Sequence, residues 1–233
     1  MIRALVYCGF QHQPTLSLPS AGIQGVAVQL ASFGSLRLLW SEVAWPFPPD
    51  SMQQSAVEFH GVVHHIFKQT AVIPFRLLSV FDDQAAMAAF VEENQASFTE
   101  DLERLKDFVQ MECVVYPAPQ QKPGTHPDSN PDTSSGKAYL EQKAMALRSS
   151  AGFTRAAQDA IAHLSNDVRV RETKNGTRIF VLIKRGQEKD FHNAASAAPV
   201  PEQLSRRISG PWPAAEFLSD RVKAPQITTA GAK

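Results

Sequence analysis

VRVRETKNGTRIFVLIKR, Val168 to Arg185, decides how the second half of this chain folds. Two runs rich in β-branched residues flank Lys174-Asn175-Gly176-Thr177. Asn-Gly accepts the two positive-φ positions of a tight hairpin turn, so the segment predicts antiparallel strands over 168–173 and 178–184. Working outward, VQMECVVYP predicts a strand over 110–116, and Leu204 to Ser209 another. A long amphipathic run, KAYLEQKAMALRSSAGFTRAAQDAIAHL, predicts a helix over 137–164 with a soft point at Ser149, Ser150 and Gly152. A short helix is expected over 188–198. The order β-α-β-β-α-β reads as a ferredoxin-like domain, a four-stranded antiparallel sheet with two helices on one face.

The first half is also α+β. MIRALVYCGF predicts a buried strand, and two short strands follow over 26–30 and 36–43, joined by Ser32-Phe33-Gly34-Ser35. From Ser51 to Thr70, Phe59, Val62, Val63, Ile66 and Phe67 recur at the spacing of one apolar helical stripe. VIPFRLLSVF predicts a strand whose Pro74 demands an edge position or a bulge. Asp82 or Asp83 is placed to cap a helix ending near Gln95, with Ala86, Phe90 and Val91 facing the core. Another helix is expected over 96–109, with Phe98, Leu102, Leu105 and Val109 on its stripe. The domains therefore read as 1–109 and 110–220. Residues 117–136 hold five prolines and almost no apolar side chains, so they predict a flexible loop. Residues 221–233 predict an unstructured tail. No internal repeat is evident.

Composition narrows the function. The chain has 233 residues, 43% of them hydrophobic, ample for one large or two small cores. Lys+Arg and Asp+Glu both number 23, so no cationic surplus exists to displace counterions from nucleic acid. Cys8 and Cys113 sit in apolar runs and read as small buried hydrophobes of a reducing compartment. No stretch has the ~18 apolar residues of a membrane span, and no signal peptide is evident, so a cytoplasmic location is expected. GxGxxG, GxxxxGK[ST], GxSxG and zinc-spaced cysteine pairs are all absent, which argues against familiar enzyme chemistry. No catalytic residue and no cofactor is assigned.

Several residues still invite a reading. His60 and His64 stand one helical turn apart, the spacing of two metal ligands, but a zinc site needs at least a third. His65 lies about 100° around the helix from His64. The competing reading makes all three polar edges of a packed stripe, and no metal site is assigned. Arg76 stands in an apolar run, where an ion pair with a helix carboxylate is expected, partner contact being the alternative. Tyr139 and Lys143 could share the sheet-facing side of the long helix, the lysine stem packing and its head reaching water. Arg169, Arg171, Arg178, Lys184 and Arg185 make either a basic strip for an acidic partner or a solvated sheet face. In ISGPWPAAEF, Ile208 to Phe217, Pro211 and Pro213 remove two donors, so the last strand is expected to end at Gly210. Trp212 and Phe217 then lie across a domain junction, or Trp212 anchors a partner.

In order along the chain, LVYCGF, LRLLWSEV, EFHGVVHHIF, VIPFRLLSVFDD, SSGKAYLEQK and GPWP with a following Phe make the chain resemble the gas vesicle GvpF/GvpL family over nearly its full length. The resemblance implies an N-terminal α/β domain of unusual topology and a C-terminal modified ferredoxin-like domain. It implies a non-enzymatic accessory or minor structural protein of gas vesicle assembly, contacting the hydrophobic shell protein and other accessory proteins. Arg76, Tyr139, Lys143, Trp212 and Phe217 are its candidate partner-binding or structural residues. The chain departs from the family at Ala214-Ala215-Glu216, where Pro-Tyr-Ser is usual, and at Leu77-Leu78, where Phe-Gly often follows the arginine. A small-molecule or metal-sensing module on the ferredoxin-like domain is the alternative.

Overall fold

β1, Ile2–Gln11, is buried along nearly its whole length. It lies inside the first sheet, whose order is β2-β3-β1-β4, with β5 also paired to β1. β2 spans Gln29–Phe33, β3 Leu36–Ala44, β4 Ile73–Pro74 and β5 Val80–Phe81. All four pairings are antiparallel. Two helices, α1 at Met52–Phe67 and α2 at Gln84–Leu105, pack on this sheet. Ala4 and Val6 join Leu36, Leu38, Trp40, Met87, Val91, Phe98 and Leu102 in one core cluster. Tyr7, the residue after Val6 and on the opposite face of the pleat, instead packs against Phe59 of α1, ring centroids 5.3 Å apart. Both faces of β1 are covered, so LVYCGF is apolar throughout and shows no two-residue alternation.

The structure is a computed structural model and describes residues 1–118, 152, 154–173 and 176–219. They divide into two units, Met1–Phe108 with the residues from Trp212 onward, and Val109–Pro211.

In the first unit the expected stripe of α1 is buried at all five positions, Phe59, Val62, Val63, Ile66 and Phe67. Each such side chain contributes about 1.5–3 kcal/mol of burial. Asp83 caps α2, its carboxylate accepting from the Ala86 amide at 2.8 Å. The two helices expected over 82–109 are one helix. Met87, Val91, Phe98, Leu102 and Leu105 form a continuous buried face, and no glycine or proline interrupts it. Met87 rather than Ala86 faces the core. The single strand expected from VIPFRLLSVF is instead the two short strands β4 and β5. Between them the Ser79 amide donates to Arg76 O at 2.9 Å, and the Arg76 amide to Ser79 Oγ at 3.2 Å, closing a turn. Pro74 does lie at the sheet edge, opposite Cys8, where its missing N–H costs no ladder bond.

The second unit holds a four-stranded sheet of order β7-β8-β6-β9. β6 spans Phe108–Pro117, β7 Asp167–Thr173, β8 Gly176–Lys184 and β9 Leu204–Trp212. The hairpin strands pair antiparallel from Asp167 opposite Leu182 to Thr173 opposite Gly176. A helical stretch over 154–161, here α3, and α4 at Glu188–Ala197 complete it. The expected helix start at 137 and the loop 119–136 lie outside the described residues. Arg206 closes α4, its guanidinium donating to the carbonyls of Ala195, Ser196 (2.9 Å) and Ala198 (2.8 Å). A cation there meets both the unpaired carbonyls and the negative end of the helix dipole.

β9 does not end at Gly210 but runs through Pro211 to Trp212. As an outer strand of the sheet it tolerates the missing proline donor. Gly210 has φ +124°, and a Cβ there would stand 2.8 Å from Met111 Sδ and 3.0 Å from Gln110 O. Only glycine accepts both that backbone and that approach.

Candidate interaction surface

The C-terminal segment 212–219 belongs to the first unit and is held there by α2. Arg104 Nη2 donates to Phe217 O at 2.7 Å and to Asp101 Oδ1 at 2.5 Å. Asp101 Oδ2 accepts from the Ser219 amide at 2.8 Å and from its hydroxyl at 2.9 Å. Asp101 is buried, and its neighbours on both sides in space are charge-compensating or donating groups, as a buried carboxylate requires. Phe217 is 1% exposed and Leu218 packs on the core cluster. Phe217 is therefore a core residue of the first unit.

Trp212 is half-buried and meets α1. Its ring lies edge-on to His60 at 5.4 Å, and His60 stacks on His64 at 5.7 Å. Val57, 63% exposed, is one turn earlier on the same helix face. Val57, His60, His64 and Trp212 thus form a part-aromatic surface strip.

The three histidines have separate roles. His65 Nε2 reaches Ser17 Oγ at 3.2 Å and Ser17 O at 3.1 Å, while Gln69 holds the same serine by its amide and carbonyl. His65 therefore pins the loop after β1. Glu58 adds a second pin, accepting from the Gln24 amide at 2.9 Å. No group of three His, Cys, Asp or Glu able to hold a metal ion occurs among the described residues. His64 Nδ1 is buried without a hydrogen-bond partner. Burial, then the charges of Lys68 and His60, holds its pKa below the usual 6.5. A proton thus binds the unfolded chain more readily than the folded one. The His64 contribution is fully present above pH 6.5 and is lost as pH falls through the depressed folded value. The expected result is a Tm that drops between pH 7.5 and 5.5 by more in the wild type than in His64→Gln; equal drops would exclude it.

Arg76 does not make the expected ion pair. It is exposed in the β4–β5 turn and has no ion-pair partner among the described residues. The apolar run around it turns sharply, which carries its side chain to the surface instead of into the sheet. Tyr139 and Lys143 lie outside the described residues. On β8, Arg178 pairs with the buried Glu112 and its guanidinium lies over Phe180 at 5.1 Å. Cys8 and Cys113 are buried free thiols; burial pushes the Cys8 pKa up, and that of Cys113 to about 11. Neither supplies a thiolate nucleophile near neutral pH. The Asp101–Arg104–Ser219 clamp was not anticipated. The sequence signal was faint: an acidic residue on the buried stripe of α2, one turn from an arginine.

A family model described as gas vesicle synthesis protein GvpL/GvpF matches residues 4–219. The chain belongs to this family. The match takes in both units and the clamp. Two solved members have the same fold as this GvpL/GvpF chain. The crystal structure of gas vesicle protein GvpF from Anabaena sp. PCC7120 has a TM-score of 0.70 at 15% identity, covering 94% of this chain and 97% of that one. That of GvpF from Microcystis aeruginosa has a TM-score of 0.72 at 14% identity, covering 94% and 100%. No curated protein sequence matches this GvpL/GvpF chain. Among its described residues no helix is long and apolar enough to cross a membrane.

Proposed function

We propose that this protein is a non-enzymatic accessory or minor structural component of gas vesicle assembly, binding the hydrophobic shell protein and other accessory proteins in the cytoplasm. The family match over residues 4–219 carries this reading. A shell subunit with a large apolar face aggregates if left uncovered, so a folded binder that masks or orders that face favours productive nucleation. The buried, protonated thiols fit a protein that works by contact. The α1–Trp212 strip and the exposed Arg76 are the proposed contact residues of the first unit. Phe217 is given a structural role. Tyr139 and Lys143 remain candidates for a partner-binding or structural role.

We further read the domain expected over 110–220 as ferredoxin-like in its residues 110–211, with 212–219 returning to the N-terminal domain expected over 1–109. Numbered from β6, the sheet order β9-β6-β8-β7 is 4-1-3-2, and helices follow the first and third strands in the chain.

The test is co-expression with a gas vesicle shell protein. The chain is expected to co-purify with it, and vesicle yield to fall when the gene is removed. Normal vesicles in its absence, with no co-purification, would overturn the reading.

A further inference from the structure

β7 stands at the outer edge of its sheet, and all seven of its residues are exposed except the half-buried Val168. Its pairing to β8 runs without a bulge, and no proline interrupts it. Bulges and prolines, two ways of blunting such an edge, are missing here, and its protection rests on the charges of Asp167, Arg169, Arg171 and Glu172, which a partner of matching charge would satisfy. Alongside it, α3 and the hairpin enclose an open groove of about 590 Å³, lined by Thr154, Gln158, Val168, Val170 and Thr177 among others. Thr154 Oγ1 is buried and has no hydrogen-bond partner. Because side chains alternate along a strand, Val168 and Val170 line the groove while Arg169 and Arg171 face the other side.

We propose that β7 accepts an extended segment of a partner protein as an added strand, whose aliphatic side chains enter the α3–β7 groove and whose alternating carboxylates meet Arg169 and Arg171. The inference deepens the accessory-protein reading and rests on it only for the class of partner, a protein.

An edge strand beside a helix is the geometry of strand addition. Main-chain bonds supply affinity, and side-chain pockets on alternate positions supply selectivity. Here one side of the added strand meets the two valines that line the groove. The other meets two exposed arginines two residues apart, Arg169 at 4.0 Å from Asp167 and Arg171 over the Phe180 ring at 5.8 Å, whose outward charge favours acidic residues at the same interval. A second copy of this chain is the competitor, and it fits badly in the register that pairs all seven residues of β7. Antiparallel self-pairing centred on Val170 sets Arg169 of one copy opposite Arg171 of the other, twice, and like charges directly opposite destabilise a pair.

The test uses the full chain and a fluorescein-labelled peptide of alternating aspartate and valine, followed by anisotropy. Controls carry lysine for aspartate, or the same residues in two blocks. Saturable binding is expected, weakened about tenfold or more for both controls and for the Arg169→Glu/Arg171→Glu variant. The β7 amides are expected to gain hydrogen-exchange protection with the alternating peptide. Equal binding by that variant, by either control, or protection that spares β7 would overturn the proposal. If the double variant fails to fold by circular dichroism, Val170→Lys replaces it with the same expectation. Shell protein that co-purifies equally with the double variant would remove this surface and leave the accessory role standing. Peptide binding at β7 with no co-purification by the wild type would do the reverse.

Discussion

Phe217→Ala is expected to destabilise the first unit by about 3–5 kcal/mol, the usual range for emptying a buried phenylalanine site. That corresponds to a Tm lower by roughly 6–20 °C for a chain of this size. Phe217 is 1% exposed, and its own carbonyl is held by Arg104. The cavity cannot collapse by letting the segment slide, because Asp101 grips Ser219 two residues on. Trp212→Ala removes a larger ring, yet that ring is half-exposed, so its stability cost should be smaller. Calorimetry on both variants decides the matter. A Phe217→Ala transition within about a degree of the wild type would show that the segment does not anchor the fold.

Gly22→Ala is the second large effect, about 3–5 kcal/mol when overpacking and lost buried hydrogen bonds are taken together. An added Cβ would fall 2.1 Å from Tyr7 Oη, which cannot move freely. Tyr7 is wholly buried. Its hydroxyl accepts from the Ile23 amide at 3.0 Å and donates to Ser41 Oγ at 3.1 Å, and Ser41 donates onward to Ala27 O at 2.8 Å. This relay ties the loop after β1 to the sheet. Burial, its largest influence, raises the phenol pKa, so the relay stays protonated. Tyr7→Phe alone should cost about 1–3 kcal/mol, because the Ile23 amide loses its partner. The Gly22→Ala/Tyr7→Phe pair should cost clearly less than the sum, since losing the hydroxyl removes the 2.1 Å approach and leaves the ring Cζ at 2.9 Å, which a small shift relieves. Additive costs in denaturant unfolding would refute the close approach.

The stripe of α1 and the 168–184 hairpin were legible from spacing and residue type, as were a cap at Asp82 or Asp83 and an edge or bulge at Pro74, between which the structure chose Asp83 and the edge. Each depends on neighbours within about a dozen residues, where helical period, hairpin turn geometry and proline sterics leave few choices. The break of VIPFRLLSVF into two short strands was not legible, because its residues are apolar enough for a strand and the turn rests on the Ser79–Arg76 bonds. The continuity of α2 was missed for a similar reason. The polar run Glu92 to Gln95 looks like a break, and only the structure shows it inside a single helix, with Glu92 and Glu93 exposed and Gln95 donating to Phe33 O at 2.8 Å.

The candidate surface was half visible. Trp212 and Phe217 stood out in the elbow, yet their opposite fates, one half-exposed against His60 and one in the core, follow from how 212–219 lies on α1 and α2. By itself the amino-acid sequence determined the buried first strand, the stripe of α1, the hairpin and the family to which the chain belongs. The tertiary structure alone decided that Asp101, Arg104 and Ser219 would meet, that β9 would pass its proline, and that His65 would serve Ser17. The physical reason is range. Backbone sterics and side-chain period act along the chain, whereas the partner of a buried polar group is set by whichever distant segment packing brings within hydrogen-bonding distance.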